Sequence, residues 1–103
     1  MGRLEHDYLV FEWDDYKSQT NLAKHGLLLE DAINAYLDPN ALIQTHQVVD
    51  GEQRWRTLGC IHNAVLLFIG HLLYDDELDR EVVRLITVRE ATAQEERIYY
   101  DNH

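Results

Sequence analysis

The sequence predicts one α+β domain, helices packed against a mostly antiparallel sheet, and three observations carry that prediction. The chain has 103 residues with 46% hydrophobic content, which allows one modest core and argues against wholesale disorder. Helical signals occupy the stretch from 14 to 38, whereas β-rich runs fill 42 to 89. The separators between those runs, Asp50-Gly51, His62-Asn63 and the acidic stretch from Asp75 to Asp79, suit an antiparallel meander.

Taken in order, Tyr8 to Trp13 is rich in aromatic and branched residues and reads as the first strand. Asp14 is placed to cap a helix that runs to about Lys24, with His25 and Gly26 supplying the last-turn cation and the left-handed stop. Leu29, Ile33, Tyr36 and Leu37 recur at helical spacing, and Asp38-Pro39 ends that second helix. Four strands follow: Leu42 to Val49, Arg54 to Ile61, Ala64 to Tyr74 and Glu81 to Arg89. Thr92-Ala-Gln-Glu95 has the spacing of a capping box and opens a final helix bearing Ile98 and Tyr99. The predicted order is β-α-α-β-β-β-β-α, with helices on one face of the sheet, and residues 1–103 form one domain.

Composition narrows the function classes. No apolar run reaches the roughly 20 residues of a membrane span, and the opening MGRLEHDY lacks a secretory pattern, so a soluble cytoplasmic protein is expected. Cys60 is the only cysteine, which excludes an internal disulfide framework and reads as a packed thiol. Nine Lys and Arg against nineteen Asp and Glu give a net charge of -10, which over the whole molecule repels nucleic acid. Location softens this, because between Glu52 and Tyr74 the charged residues are Glu52, Arg54 and Arg56, and between Val82 and Arg89 they are Arg84 and Arg89.

His6, His25, His46, His62, His71 and His103 are scattered without metal-ligand spacing, so no metal and no cofactor are expected. Ser18 is the sole serine and has no G-x-S-x-G around it, and no glycine-rich phosphate loop is present. The informative segment is Gly51-Glu-Gln-Arg-Trp-Arg-Thr-Leu-Gly59. In a strand it turns Glu52, Arg54 and Arg56 to one face, and Gln53, Trp55 and Thr57 to the other. A carboxylate beside guanidiniums supplies a base and planar donors for metal-free cleavage of RNA. Spacing alone is met more readily by ordinary ion pairs on a solvated sheet. Arg84 and Arg89, five apart, fall on opposite faces of a regular strand unless a bulge intervenes. Trp13 and Trp55 read as core, and Glu95 as a helix cap.

Phe11-Glu-Trp-Asp-Asp-Tyr-Lys17, Asn21-Leu-Ala-Lys-His-Gly26, Gly51 to Gly59 and Arg84-Leu-Ile-Thr-Val-Arg-Glu-Ala-Thr92, in that order across nearly the whole chain, closely resemble the BrnT family of toxins. The resemblance implies a RelE-like ribonuclease fold, an endoribonuclease activity and a bacterial type II toxin-antitoxin setting. It implies a BrnA-like ribbon-helix-helix antitoxin as partner, RNA as substrate, and operator DNA met only through the antitoxin complex. Its functional positions correspond here to Glu52, Arg54, Arg56, Arg84 and Arg89. The expected roles are Glu52, Arg56 and Arg84 in catalysis and Arg54 and Arg89 in holding flanking phosphates, with acid and base unassigned by the resemblance itself. Glu90, Ala93, Gln94 and Glu96 stand where such toxins commonly carry Lys or Arg, which also implies a catalytically weak or silent antitoxin-binding module as an alternative.

Overall fold

Six strands join into one sheet, and a computed structural model describes residues 1–62 and 64–102 of the chain. The strands are β1 (Gly2–His6), β2 (Leu9–Trp13), β3 (Leu42–Val49), β4 (Glu52–Ile61), β5 (Val65–Asp75) and β6 (Glu81–Glu90). Their spatial order is β1-β2-β6-β5-β4-β3; the β2–β6 pair is parallel and the other neighbours antiparallel. The expected meander from β3 to β6 is therefore present. Its first turn is Asp50-Gly51, both at positive φ (51° and 78°), as a tight hairpin requires. Asn63 of the second separator, like His103, lies outside the described residues.

The helices form where caps permit. Asp14 accepts the Lys17 N–H at 2.9 Å to start α1 (Asp15–His25), and Gly26 at φ 75° ends it. The second helical segment begins as a 3-10 turn (Leu29–Asp31) whose Asp31 carboxylate accepts the Leu28 N–H, then becomes α2 (Ala32–Tyr36). α3 (Ala93–Asp101) opens with the expected reciprocal pair: the Thr92 hydroxyl accepts from the Glu95 N–H and the Glu95 carboxylate from the Thr92 N–H.

The observed order corrects the expected one in two ways. β1 precedes the predicted first strand, and it went unseen because its residues are mostly exposed and show no apolar alternation. The helices also divide between the two faces of the sheet. On the first face Phe11, Leu67, Ile69, Val83, Leu85 and Val88 pack against the 3-10 turn and α2. On the second, Leu58, Leu66 and Phe68 pack under Tyr99 and Ile98 of α3. α2 lies so close to β4 that a Cβ on Gly59 would stand 2.0 Å from the Ala35 carbonyl oxygen, so only glycine fits there.

α1 takes a third position, beside β6, where β2 has ended. The Asn21 side chain donates to the Val88 carbonyl at 2.8 Å and accepts the Val88 N–H at 3.1 Å, pairing the strand edge as a neighbouring backbone would. Trp13 is core, as expected, but Trp55 and Cys60 are only half-buried, the Cys60 sulfur lying 3.9 Å from the Tyr100 hydroxyl. α3 is short and shields one end of the second face. The rest of that face stays open.

Candidate nucleic-acid interface

Strand periodicity sends Arg54 and Arg56 to the same side as Leu58, which packs under α3, so both arginines lie on the second face. Glu52, with the same parity, starts the strand there. Arg84 and Arg89 reach this face together because β6 carries one extra residue. Gly70 pairs with Thr87 and His71 with Leu85, which leaves Ile86 unmatched. That bulge shifts the alternation by one, so Leu85 and Val88 both enter the core of the first face and the two arginines share the second. β3 is bulged as well: Thr45 pairs with Trp55 and Gln47 with Arg54, which frees His46 from the register. Its ring reaches Phe68 edge-on, at 5.5 Å between centroids.

A hollow of about 100 Å³ lies on this face, lined among others by His46, Arg54, Trp55, Phe68, Gly70 and Thr87. Gly70 is central. It pairs with Arg56 on one side and Thr87 on the other, and a Cβ there would stand 2.7 Å from the Thr87 methyl. Its bare backbone leaves a floor between the flanking side chains.

The arginines differ in how far their charge is already satisfied. Arg89 is committed: its two terminal nitrogens meet the Glu95 carboxylate at 2.8 and 3.0 Å, and its guanidinium carbon sits 4.1 Å above the Phe68 ring centroid. The same arginine, followed by the Thr92 backbone N–H, holds the Glu95 carboxyl below the usual carboxylate range despite burial. Arg84 has looser neighbours, Glu12 at 3.6 Å and the Met1 sulfur at 3.3 Å. Arg54 stands 3.6 Å from Glu52, while its Nε is buried and makes no hydrogen bond among the described residues. Arg56 has no carboxylate partner among the described residues, since its Nε and one terminal nitrogen donate to the neutral Gln44 oxygen at 3.1 and 2.9 Å.

Such a face can take an anion. Arg56 is oriented by Gln44 with donors to spare, Arg54 holds a buried donor without an acceptor, and the glycine floor admits a group of phosphate size. Glu52 is exposed at the rim, next to Arg54. His46 is exposed too, and its imidazole overhangs the hollow with no hydrogen bond or ion pair among the described residues. The alternation of β4 announces Arg54 and Arg56. Nothing in the sequence singles out His46, Gly70 or Thr87, because bulges and close packing between strands leave no pattern in composition. Among the described residues no group of His, Cys, Asp and Glu is arranged to hold a metal, and no helix is long and apolar enough to cross a membrane.

Comparison with known proteins adds a family match and a structural one. A family model described as "Ribonuclease toxin, BrnT, of type II toxin-antitoxin system" matches residues 13–95. The crystal structure of the Brucella abortus ribonuclease toxin BrnT is similar at 25% identity and a TM-score of 0.61, covering 80% of this chain and 95% of that one. Among curated proteins none matches the sequence.

Proposed function

Because the chain belongs to the BrnT family of ribonuclease toxins of type II toxin-antitoxin systems, we propose that it cleaves RNA on the open face of its sheet, without a metal. The observation that carries this reading is that Arg54, Arg56 and Arg84 share one face of the sheet, with Arg54 lining a glycine-floored hollow and Arg56 paired beside its Gly70 floor.

In this reading Glu52 takes the proton of a ribose 2′-OH and the freed oxygen attacks the adjacent phosphorus. The bond from phosphorus to the 5′-oxygen breaks as the His46 imidazolium donates its proton to that oxygen, leaving a 2′,3′-cyclic phosphate and a 5′-hydroxyl. Arg56 and Arg84 stabilise the charge that builds on the phosphoryl oxygens. Arg54 holds a flanking phosphate. Arg89, its fork filled by Glu95, shapes the Phe68 wall and has less to offer a phosphate than its position in sequence implied.

The same reading groups the sheet with the RelE-like ribonucleases. It places the protein in the bacterial cytoplasm, silenced by a BrnA-like ribbon-helix-helix antitoxin, with operator DNA contacted only by the complex. One feature favours the alternative, a silent antitoxin-binding module. Glu52, Glu12 and Glu95 already stand against Arg54, Arg84 and Arg89, within a chain of net charge -10. Induced expression separates the two: growth arrest that is lost in Arg56→Ala supports the nuclease, and arrest-free expression of the wild type together with tight antitoxin binding supports the silent module.

A further inference from the structure

The hollow at Gly70 does not end at Thr87. A second, wider depression of about 370 Å³ shares Ile86 and Thr87 with it and continues onto α1, where Tyr16, Lys17, Lys24 and His25 border it. Lys17, Asn21 and Lys24 stand at i, i+4 and i+7, one stripe of the helix. Asn21 fastens that stripe to the backbone of Val88, which fixes both lysines at the rim of β6. Seven residues of helix set them about 10 Å apart along its axis, so they can meet different phosphates.

Charge accounting points the same way. Arg3 and Arg80 are tied to Glu5 and Asp76. Arg54, Arg84 and Arg89 face Glu52, Glu12 and Glu95. The cations with no ion pair among the described residues are thus Lys17, Lys24, Arg56 and Arg97, and the first three border the two joined depressions or their Gly70 floor. In a chain this acidic, cations not held in ion pairs along one continuous trough are where a polyanion can lie. Tyr16, exposed beside Lys17, offers a ring on which an unpaired base can stack.

Building on the ribonuclease reading, we infer that α1 is a second binding subsite, which holds the phosphates of single-stranded RNA that leaves the Gly70 hollow across Thr87. The subsite acts by binding and takes no part in bond breaking.

The test is the salt dependence of binding. A ten-nucleotide RNA made resistant to cleavage by 2′-O-methylation is titrated into wild type, a Lys17→Gln/Lys24→Gln double variant, and Arg97→Gln as a charge-loss control on the exposed side of α3. Each phosphate contact to a single strand adds about 0.7 to the slope of log affinity against log salt, so the double variant is expected to lose about 1.4 from it. Arg97→Gln keeps the wild-type slope, and the penalty of the double variant shrinks toward nothing with a dinucleotide. Wild-type slope and affinity in a folded double variant, while unmodified RNA is still cleaved, would overturn the subsite alone. A wild type that neither binds nor cleaves RNA would remove the ribonuclease reading and the subsite with it.

Discussion

At the scale of single residues, the second face of the sheet sorts its arginines by what each already touches. Arg56 leans on an amide, Arg54 on a carboxylate at 3.6 Å, and Arg89 on a carboxylate in a two-pronged bond. Of these three, only the first two keep donors for a ligand, and Arg84, with Glu12 no nearer than 3.6 Å, keeps them too. Glu95 serves both as the Arg89 partner and as the third residue of the α3 capping box, and it is buried. Glu95→Gln is therefore expected to cost about 2 kcal/mol of folding stability, read by urea unfolding at neutral pH. Because its carboxyl is held below the ordinary value, that contribution is present at neutrality and is lost as pH falls through the folded-state pKa. Residue roles of this kind were partly legible: alternation put Arg54 and Arg56 together and spacing made Glu95 a cap. His46 was visible only as one histidine among six, since its placement depends on a bulge.

At the scale of elements, the two bulges do the sorting. Without the extra Ile86, Arg84 and Arg89 would fall on opposite faces, as their separation in sequence suggests. A bulge is a choice made by strand pairing, and a single strand read alone does not reveal it. The same holds for β1, whose exposed residues give no apolar rhythm, and for the division of helices between faces, which depends on where each amphipathic stripe finds a partner. The α1 caps, by contrast, are local chemistry and were readable in full. The attachment of α1 to β6 rests on Asn21, whose amide satisfies Val88 on both sides and also donates to the Leu27 carbonyl at 2.7 Å. Asn21→Ala leaves buried backbone groups without partners and is expected to destabilise by about 2–3 kcal/mol. Hydrogen exchange should register the loss first at the Val88 amide.

At the scale of the whole molecule, one sheet separates a sealed face from an open one. On the sealed face His71 is fully buried, bonded to the Thr57 hydroxyl at 2.7 Å, with Tyr36 edge-on at 5.4 Å. Burial pushes its pKa down to about 4, against a smaller upward pull from the Leu72 carbonyl. Between the model-peptide value near 6.5 and that folded value, the unfolded chain takes up a proton that the native state refuses. Stability should accordingly fall as pH drops through this window, by roughly 3 kcal/mol in all, and unfolding midpoints at pH 7 and pH 4.5 in wild type and His71→Gln would measure it. The fold class was legible because the runs and turns from 42 to 89 are strong; the site was legible only along β4, where one strand carries several of its groups.

The claim on which these scales converge is that the open face performs the cleavage. Its most direct measurement is the end chemistry of single-stranded RNA after incubation with wild type or Arg56→Ala in excess chelator. The account predicts 2′,3′-cyclic phosphate and 5′-hydroxyl ends from wild type, and at least about 100-fold slower formation of them by a normally folded Arg56→Ala. Cleavage that stops with the chelator, or that proceeds at the wild-type rate in Arg56→Ala, would contradict it.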